Sequence, residues 1–580
     1  MKILNRVLLS AFLAFGGLSL SHATQNPKWL SSAAFYQIYP SSFMDTNGDG
    51  YGDLPGITQK LDYIQGLGCN ALWLNPVFLS GWTDGGYDVI DYYKIDPRFG
   101  TNTDMVKLAE EAHKRGMKVC LDLVAGHSSD QCEWFKQSAQ AANEHYSDYY
   151  IWFDQADEAI EKEGIITMQE WEDMQNGKGK FKWGRYVQAD APRAKYYEKN
   201  FYPTQPALNY GYYNINPNHP WEQPVTAPGP QATRRELRNI MQFWFDKGID
   251  GFRVDMAASL VKNDPDKVAT IALWQEMREW VNTNYPECVL ISEWGSPTQS
   301  IPAGFNIDFM IHIGVPGYGS LFFEPGTPYE ERSRTYEHCY FDKAGKGILT
   351  NFVENFTNSY SKTRGEGYIA IPTANHDYQR PNIGTRNTMD QLKVTQTFFL
   401  TMPGVPFIYY GDEIGMKYLM NLPPKEGSNT RAGTRTPMQW GNDANAGFST
   451  APAEKLYFPV DTEQNTLTVE TQEKDPNSLL NYTRQLLKFR HDNPGLENDA
   501  DWELLSDVNQ PYPMIYKRSN GKQTFIVVLN PSGKKVTAVI PAQGQAELVI
   551  GEKKSGTYKS GKAQDKITVN GITAQIYQMK

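Results

Sequence analysis

Thr233-Arg-Arg-Glu-Leu-Arg-Asn-Ile-Met-Gln-Phe-Trp-Phe-Asp-Lys-Gly-Ile-Asp-Gly-Phe-Arg-Val-Asp255 reads as one helix followed by one strand. Thr233 and Glu236 have the spacing of a capping box, in which hydroxyl and carboxylate satisfy the first free backbone N–H groups. Leu237, Ile240, Met241 and Trp244 fall on one helical face, and Gly248 closes the helix. Gly251–Val254 is then a short apolar strand that ends on an acid, Asp255.

The same rhythm runs outward in both directions. Phe35–Tyr39, Ala71–Val77 and Met117–Val124 read as strands, with helices at Ile57–Leu67 and Thr103–Arg115 between them. Strands recur at Val289–Glu293, Tyr368–Ala374 and Pro406–Tyr410, and a long helix runs from Ser478 to Arg490. Alternation of this kind predicts a parallel sheet covered by helices, an α/β fold. Residues 128–222, rich in Tyr, Trp, Asn, Gln and Pro, break the rhythm and read as an inserted subdomain. After about residue 500 only short strand-like runs remain, among them Met514–Lys517, Thr524–Leu529, Val536–Ile540 and Ile567–Val569, which mark a small β domain. The basic stretch Lys553–Lys566 reads as a solvated hairpin.

Composition bounds the function. The chain has 580 residues, enough for two or three units with a large core, and 40% hydrophobic content excludes disorder and collagen. Lys and Arg total 56 against 66 Asp and Glu, a formal charge of −10, which argues against nucleic acid as the main partner. Met1–Ala23 has a secretory pattern: Lys2 and Arg6, then apolar Val7–Leu20, then Ser21-His-Ala23. No later run is long and apolar enough for a membrane span, so the expectation is an exported protein, periplasmic or secreted. Cys69, Cys120, Cys132, Cys288 and Cys339 are odd in number and lack metal-ligand spacing; Cys69, Cys120 and Cys288 sit in or beside apolar runs and read as buried thiols.

Chemistry gathers where apolar runs end. Asp122, Asp255, Glu293 and Asp377 all close such runs, and His127, Arg253 and His376 lie close by. In a (β/α)8 barrel, strand ends distant in sequence converge on one face. Paired carboxylates suit glycoside hydrolysis, one to attack the anomeric carbon and one to protonate the leaving oxygen. Arg253 shares a strand face with Asp255 and would keep that carboxylate ionised, whereas Trp294 beside Glu293 would desolvate it and favour the protonated acid.

Asp122-Leu-Val-Ala-Gly-His127, Gly251-Phe-Arg-Val-Asp255, Ile291-Ser-Glu293 and Ala374-Asn-His-Asp377 resemble, in order, the motifs of the α-amylase superfamily, glycoside hydrolase family 13. Gln37-Ile-Tyr-Pro40, Gln205-Pro-Ala-Leu-Asn209 and Gly404–Gly415 support the likeness, which spans about residues 33–580. It implies a (β/α)8 TIM barrel over 24–127 and 223–499, a subdomain over 128–222 inserted after the third strand, and a C-terminal antiparallel β-sandwich over 500–580. It further implies a retaining mechanism on α-glucosidic bonds. Asp255 would be the nucleophile, Glu293 the acid/base and Asp377 the residue that grips sugar hydroxyls, with Tyr87, His127 and His376 lining the subsite.

Asp84-Gly-Gly-Tyr87 and Arg435-Thr-Pro-Met-Gln-Trp440 resemble the exo-acting α-glucosidase and oligo-1,6-glucosidase branch, where the matching Asp and Arg pair to block the pocket. The expectation is an exo-α-glucosidase acting on malto- or isomalto-oligosaccharides, with α-1,4 substrates favoured. The alternatives are a trehalose-synthase-like transglycosylase or isomerase and an endo-acting α-amylase or neopullulanase. Met256 after the nucleophile matches neither linkage class of the branch. Asp45-Thr-Asn47-Gly-Asp49-Gly-Tyr51-Gly-Asp53 sets oxygen donors at alternate positions, with Tyr51 giving its carbonyl, and resembles that branch's structural Ca2+ loop. Gly126 and Ala207 depart from the superfamily's other calcium site, which is expected to be missing.

Overall fold

The helix before Asp255 starts earlier than its capping-box spacing suggests. It runs from Pro228 to Phe245, and Thr233 lies inside it, donating its hydroxyl to the Gly229 carbonyl at 3.3 Å. Pro228 takes the first helical position, where its fixed φ suits the helix and no N–H is needed. Glu236 is thereby freed from capping and accepts from the Tyr93 hydroxyl at 2.5 Å. Leu237, Ile240, Met241 and Trp244 form the buried stripe of this helix.

This computed structural model describes residues 26–140, 145–176, 178, 182–310, 316–324, 326–327, 337–463 and 467–580. The secretory pattern at Met1–Ala23 lies outside the described residues.

Eight parallel strands form the central sheet: β1 (Phe35–Ile38), β2 (Ala71–Leu74), β3 (Lys118–Val124), β4 (Gly251–Asp255), β5 (Val289–Ser292), β6 (Ile307–Phe309), β7 (Tyr368–Ala370) and β8 (Phe407–Tyr409). Their order is β7-β6-β5-β4-β3-β2-β1-β8, each beside its neighbours in sequence. The seam between β7 and β8 is crossed by the Thr373 N–H to the Phe407 carbonyl, 3.0 Å. The chain is thus a (β/α)8 barrel, nearly closed. Its strands are buried on both faces, as an all-parallel sheet requires, and read as apolar runs. The Ile57–Leu67 helix of the sequence reading is two helices, Leu54–Gln59 and Leu61–Leu67, which meet at Lys60. Asp53 caps the first of them by accepting from Gly56.

Between β3 and β4 lies a four-stranded sheet ordered Trp152–Phe153, Tyr196–Glu198, Tyr186–Gln188, Ile165–Thr167. It is tied to the end of β3 by the N–H of Leu208 to the Gly126 carbonyl and of Ser128 to the Pro206 carbonyl.

The C-terminal residues form two antiparallel sheets of five and three strands. Alternate residues of the middle strands divide the burial. Ile515, Ile526 and Val528 face Ile540, Ile567 and Val569 between the sheets, while Met514, Tyr516, Phe525, Val527 and Leu529 join the core shared with the barrel. Gly556–Lys559 pairs with Gln564–Val569 as a hairpin in the basic stretch. Among the described residues no helix is long and apolar enough to cross a membrane. All five cysteines are free; four are buried, but Cys288 is only half-buried, against the sequence reading, because it closes the turn before β5, its N–H on the Tyr285 carbonyl, rather than lying within the strand.

Candidate active site

Strand pairing places Arg253 of β4 opposite Asp122 of β3, and the twofold alternation of β4 puts Asp255 on the same face as Arg253. One guanidinium then serves three carboxylates. Arg253 Nη1 lies 2.7 Å from Asp122 Oδ1 and 3.1 Å from Asp255 Oδ1, and Nη2 lies 2.9 Å from Glu293 Oε2. Burial pushes the Asp122 carboxyl up to about 6 despite that cation. Asp255 is driven well above the usual carboxylate range, first by burial and then by the charge of Glu293, which lies close enough to share a hydrogen bond with it. Arg253 does stand against Asp255, as the shared strand face led one to expect, but its effect on that carboxyl is opposed. Arg253 is divided among three acids, and burial and the Glu293 charge outweigh it at Asp255.

The Glu293 environment also differs from the sequence reading. Trp294 turns away, its ring against Phe305 and its indole N–H on the Gln299 side chain at 3.2 Å. Glu293 Oε2 instead accepts the Met256 N–H at 2.9 Å. Met256 presents that N–H from a left-handed backbone, φ 45°, which costs a non-glycine residue about 1 kcal/mol or more. Beneath the loop, Asp308 of β6 is buried and accepts from Ser292 Oγ, Ser300 Oγ and the backbone N–H groups of Trp294, Gly295 and Ser296. This carboxylate fixes the segment carrying Glu293.

Tyr87, His127 and His376 line the mouth. The Tyr87 hydroxyl lies 2.9 Å from Asp122 Oδ2 and 2.6 Å from His376 Nε2. Side-chain amides of Gln37 and Asn75 donate to His376 Nδ1 at 3.1 and 3.0 Å, so its proton sits on Nε2. Burial holds this imidazole far below its ordinary range and neutral. His127 is likewise neutral, pushed down to about 3 by burial. Its Nδ1 accepts from Asn200 at 2.9 Å and its Nε2 faces the Tyr87 carbonyl at 3.1 Å. Gly126 leaves room for this, since a Cβ there would stand 2.6 Å from the Asn200 amide nitrogen.

The opposite wall is built from Asp377, Asp84 and two arginines. Asp377 Oδ1 lies 3.1 Å from Arg431 Nη1 and 3.2 Å from Arg435 Nη2, and its Oδ2 lies 3.1 Å from His376 Nε2. These groups hold the Asp377 carboxyl well below the usual range although burial opposes them. Asp84 was expected to pair with Arg435; its partner is Arg431, Nη2 to Oδ1 at 2.8 Å, with Gln205 donating to the other oxygen at 3.0 Å. Arg435 is fully buried and already committed, donating to the His376 carbonyl at 2.8 Å as well as to Asp377. Arg431, four residues earlier on the 3-10 segment Asn429–Thr434, is the one that reaches Asp84. Sequence reasoning missed Arg431, Asn75, Asn200 and Asp308. Only Arg431 left a trace, in its spacing from Arg435.

In the loop after β1, Asp45, Asn47 and Asp49 repeat one local geometry. Each side-chain Oδ1 accepts the N–H two residues on, at 3.1, 2.9 and 2.9 Å. Asp53 is engaged by Thr46 and by its helix cap at Gly56. Among the described residues no three His, Cys, Asp or Glu side chains form a ready metal cluster, so a cation here would need the oxygens of Asn47 and Tyr51 as well.

The family model for the α-amylase catalytic domain matches residues 37–499. A trehalose synthase/amylase of Mycolicibacterium smegmatis is 33% identical over 80% of this chain and 77% of its own length. An oligo-1,6-glucosidase of Parageobacillus thermoglucosidasius is 30% identical over 88% and 92%. Among solved structures, the trehalulose synthase of Pseudomonas mesoacidophila MX-45 superposes with a TM-score of 0.76 at 26% identity, covering 95% of this chain and 99% of that one. The chain belongs to the α-amylase family and is an enzyme of its glycosidase and transglycosylase class.

Proposed function

We propose that this α-amylase-family enzyme is a retaining, exo-acting α-glucosidase that removes one glucosyl unit from the non-reducing end of a short oligosaccharide. The observation that carries this reading is the wall Asp84–Arg431–Asp377–Arg435, ion-paired throughout at 2.8–3.2 Å. A wall there is suited to stop the sugar chain beyond the reacting unit, as exo action needs. Arg431 supplies the block that the sequence assigned to Arg435.

In this reading Asp255 attacks the anomeric carbon while Glu293 gives its proton to the leaving oxygen, and a glucosyl ester on Asp255 results. Glu293, now a carboxylate, takes a proton from water, whose oxygen displaces Asp255. Asp255 and Glu293 flank one guanidinium, at 3.1 and 2.9 Å, which suits the close carboxyl pair of a retaining mechanism, about 5–5.5 Å apart. Neutral His376 and His127 are suited to hold hydroxyls without opposing positive charge at the anomeric carbon. Asp377, ionised by its cations, is suited to accept from two hydroxyls.

Product analysis on maltotriose tests the reading. Stepwise release of glucose from the non-reducing end is expected; internal cleavage of longer chains would overturn it. Transfer to a sugar acceptor is the second reading, favoured by the likeness to a trehalose synthase/amylase and a trehalulose synthase. New disaccharides without net glucose would establish it instead.

A structural Ca2+ is proposed for the loop after β1, held by side-chain oxygens of Asp45, Asn47, Asp49 and Asp53 and the Tyr51 carbonyl. The all-oxygen donor set fits a hard cation, which would secure the loop and take no part in bond cleavage. Chelation is expected to lower the thermal midpoint by several degrees and Asp49→Ala to remove that response. A midpoint indifferent to both calcium and chelator would discard the site.

A further inference from the structure

A cleft of about 450 Å³ opens between Trp183–Asn200 of the inserted subdomain and Ser259–Lys267 after β4. Volumes of roughly 300–1,000 Å³ are those of small-molecule sites. It adjoins the reacting groups. Asn200, on its wall, donates to His127, and Ser259, also on its wall, bonds the carbonyl of Met256, whose N–H holds Glu293.

The charges of the cleft are unbalanced. Arg185 and Lys262 face Glu198, at 2.9 and 3.8 Å. Lys199 is 4% exposed, yet among the described residues no carboxylate lies within ion-pair distance of it. Its ammonium donates to the Phe201 carbonyl at 2.7 Å and stands 4.1 Å over the Trp183 ring, which is itself 58% exposed. Lys267 also lines the cleft, and among the described residues it forms no ion pair with a carboxylate. Asp264 also lines the cleft, one oxygen accepting the Thr270 N–H and the other buried without a partner among the described residues. A nearly buried ammonium without a counter-ion is costly, and burial brings its titration down to about 8. An anion arriving with the substrate would relieve that cost.

We propose that this cleft receives the aglycone and selects one bearing an anionic group, a carboxylate or a phosphate, through the Lys199 ammonium, with the Trp183 face as its platform. The proposal rests on the α-glucosyl reading above and names the substrate class for it.

The test is kcat/KM of the full chain on 3-carboxyphenyl α-glucoside against its neutral isostere, 3-carbamoylphenyl α-glucoside, with a 3-phosphooxyphenyl α-glucoside as the second arm. A preference of about tenfold or more for an anionic glucoside, expressed in KM, is expected, and the better arm identifies carboxylate or phosphate. Lys199→Met should bring the ratio to within about twofold of unity and Lys199→Arg should restore it. Equal use of neutral and anionic glucosides by the wild type, or an unchanged ratio in Lys199→Met, would overturn the proposal. Failure of the wild type to cleave any of the glucosides would instead overturn the α-glucosyl reading, and this inference with it.

Discussion

The two sides of the barrel mouth are built with opposite charge balance. On the β3–β5 side three carboxylates, Asp122, Asp255 and Glu293, share one guanidinium. On the far side two carboxylates, Asp84 and Asp377, share two. The first arrangement drives Asp122 and Asp255 up; the second drives Asp377 down and leaves it ionised. Asp84 is the exception on its side, since burial still raises it against Arg431. A surplus of negative charge belongs where positive charge develops at an anomeric carbon and where a proton must be given up. A balanced wall belongs where hydroxyls are gripped and the pocket ends. In the proposed function the difference separates chemistry from positioning within one site.

The largest break in that comparison is Asp255→Asn. In the proposed role of nucleophile its loss should lower kcat by about 10^4-fold or more, because no covalent intermediate can form. The same change removes a buried carboxyl that burial and Glu293 both oppose, so the thermal midpoint should hold or rise. Inactivity together with a fall of many degrees would mean that Asp255 serves the fold rather than the reaction.

The wall offers the next test. Arg431→Met leaves Asp84 without its cation and opens the end of the pocket; kcat/KM on a disaccharide should drop by about 10^2-fold, and internal cleavage of longer chains should appear. Arg435→Met removes a fully buried cation bound to Asp377 and the His376 carbonyl, and should act mainly on stability, at about 3–5 kcal/mol. If Arg435→Met were the one to yield internal cleavage, the assignment of the block to Arg431 would be wrong.

How far these features were legible depends on how local they are. β4 was readable because its apolar run, its opening Gly251 and its terminal Asp255 lie within five residues. β6 was missed: it has three residues, and its middle one is Asp308, which suits a strand only because Ser292, Ser300 and three loop N–H groups satisfy it. The Asp84–Arg431 pair spans 347 positions, and only closure of the barrel selects Arg431 over Arg435. The turn of Trp294 away from Glu293 was within reach of the sequence, since consecutive residues at a strand end point to opposite faces. The capping-box spacing at Thr233 was outweighed by a proline five residues earlier.

The smallest effect is the sharpest measure of the contrast, because it has opposite sign on the two sides. Asp122 titrates at about 6 in the fold against an ordinary 3.8. A raised carboxyl contributes stability that is full below its unfolded value and lost as pH rises through its folded one, here between about 4 and 6. The shift corresponds to about 3 kcal/mol at most. Asp377, depressed in the fold, contributes stability that is present above its unfolded value and lost as pH falls below about 4. Thermal midpoints of Asp122→Asn and Asp377→Asn, each relative to wild type, should therefore diverge. The first variant gains on wild type as pH rises from 4 to 7. The second trails it at pH 7 and closes the gap below pH 4. Parallel, flat differences across that range would mean that the two walls do not differ in charge balance, and the division between a reacting side and a gripping side would lose its electrostatic basis.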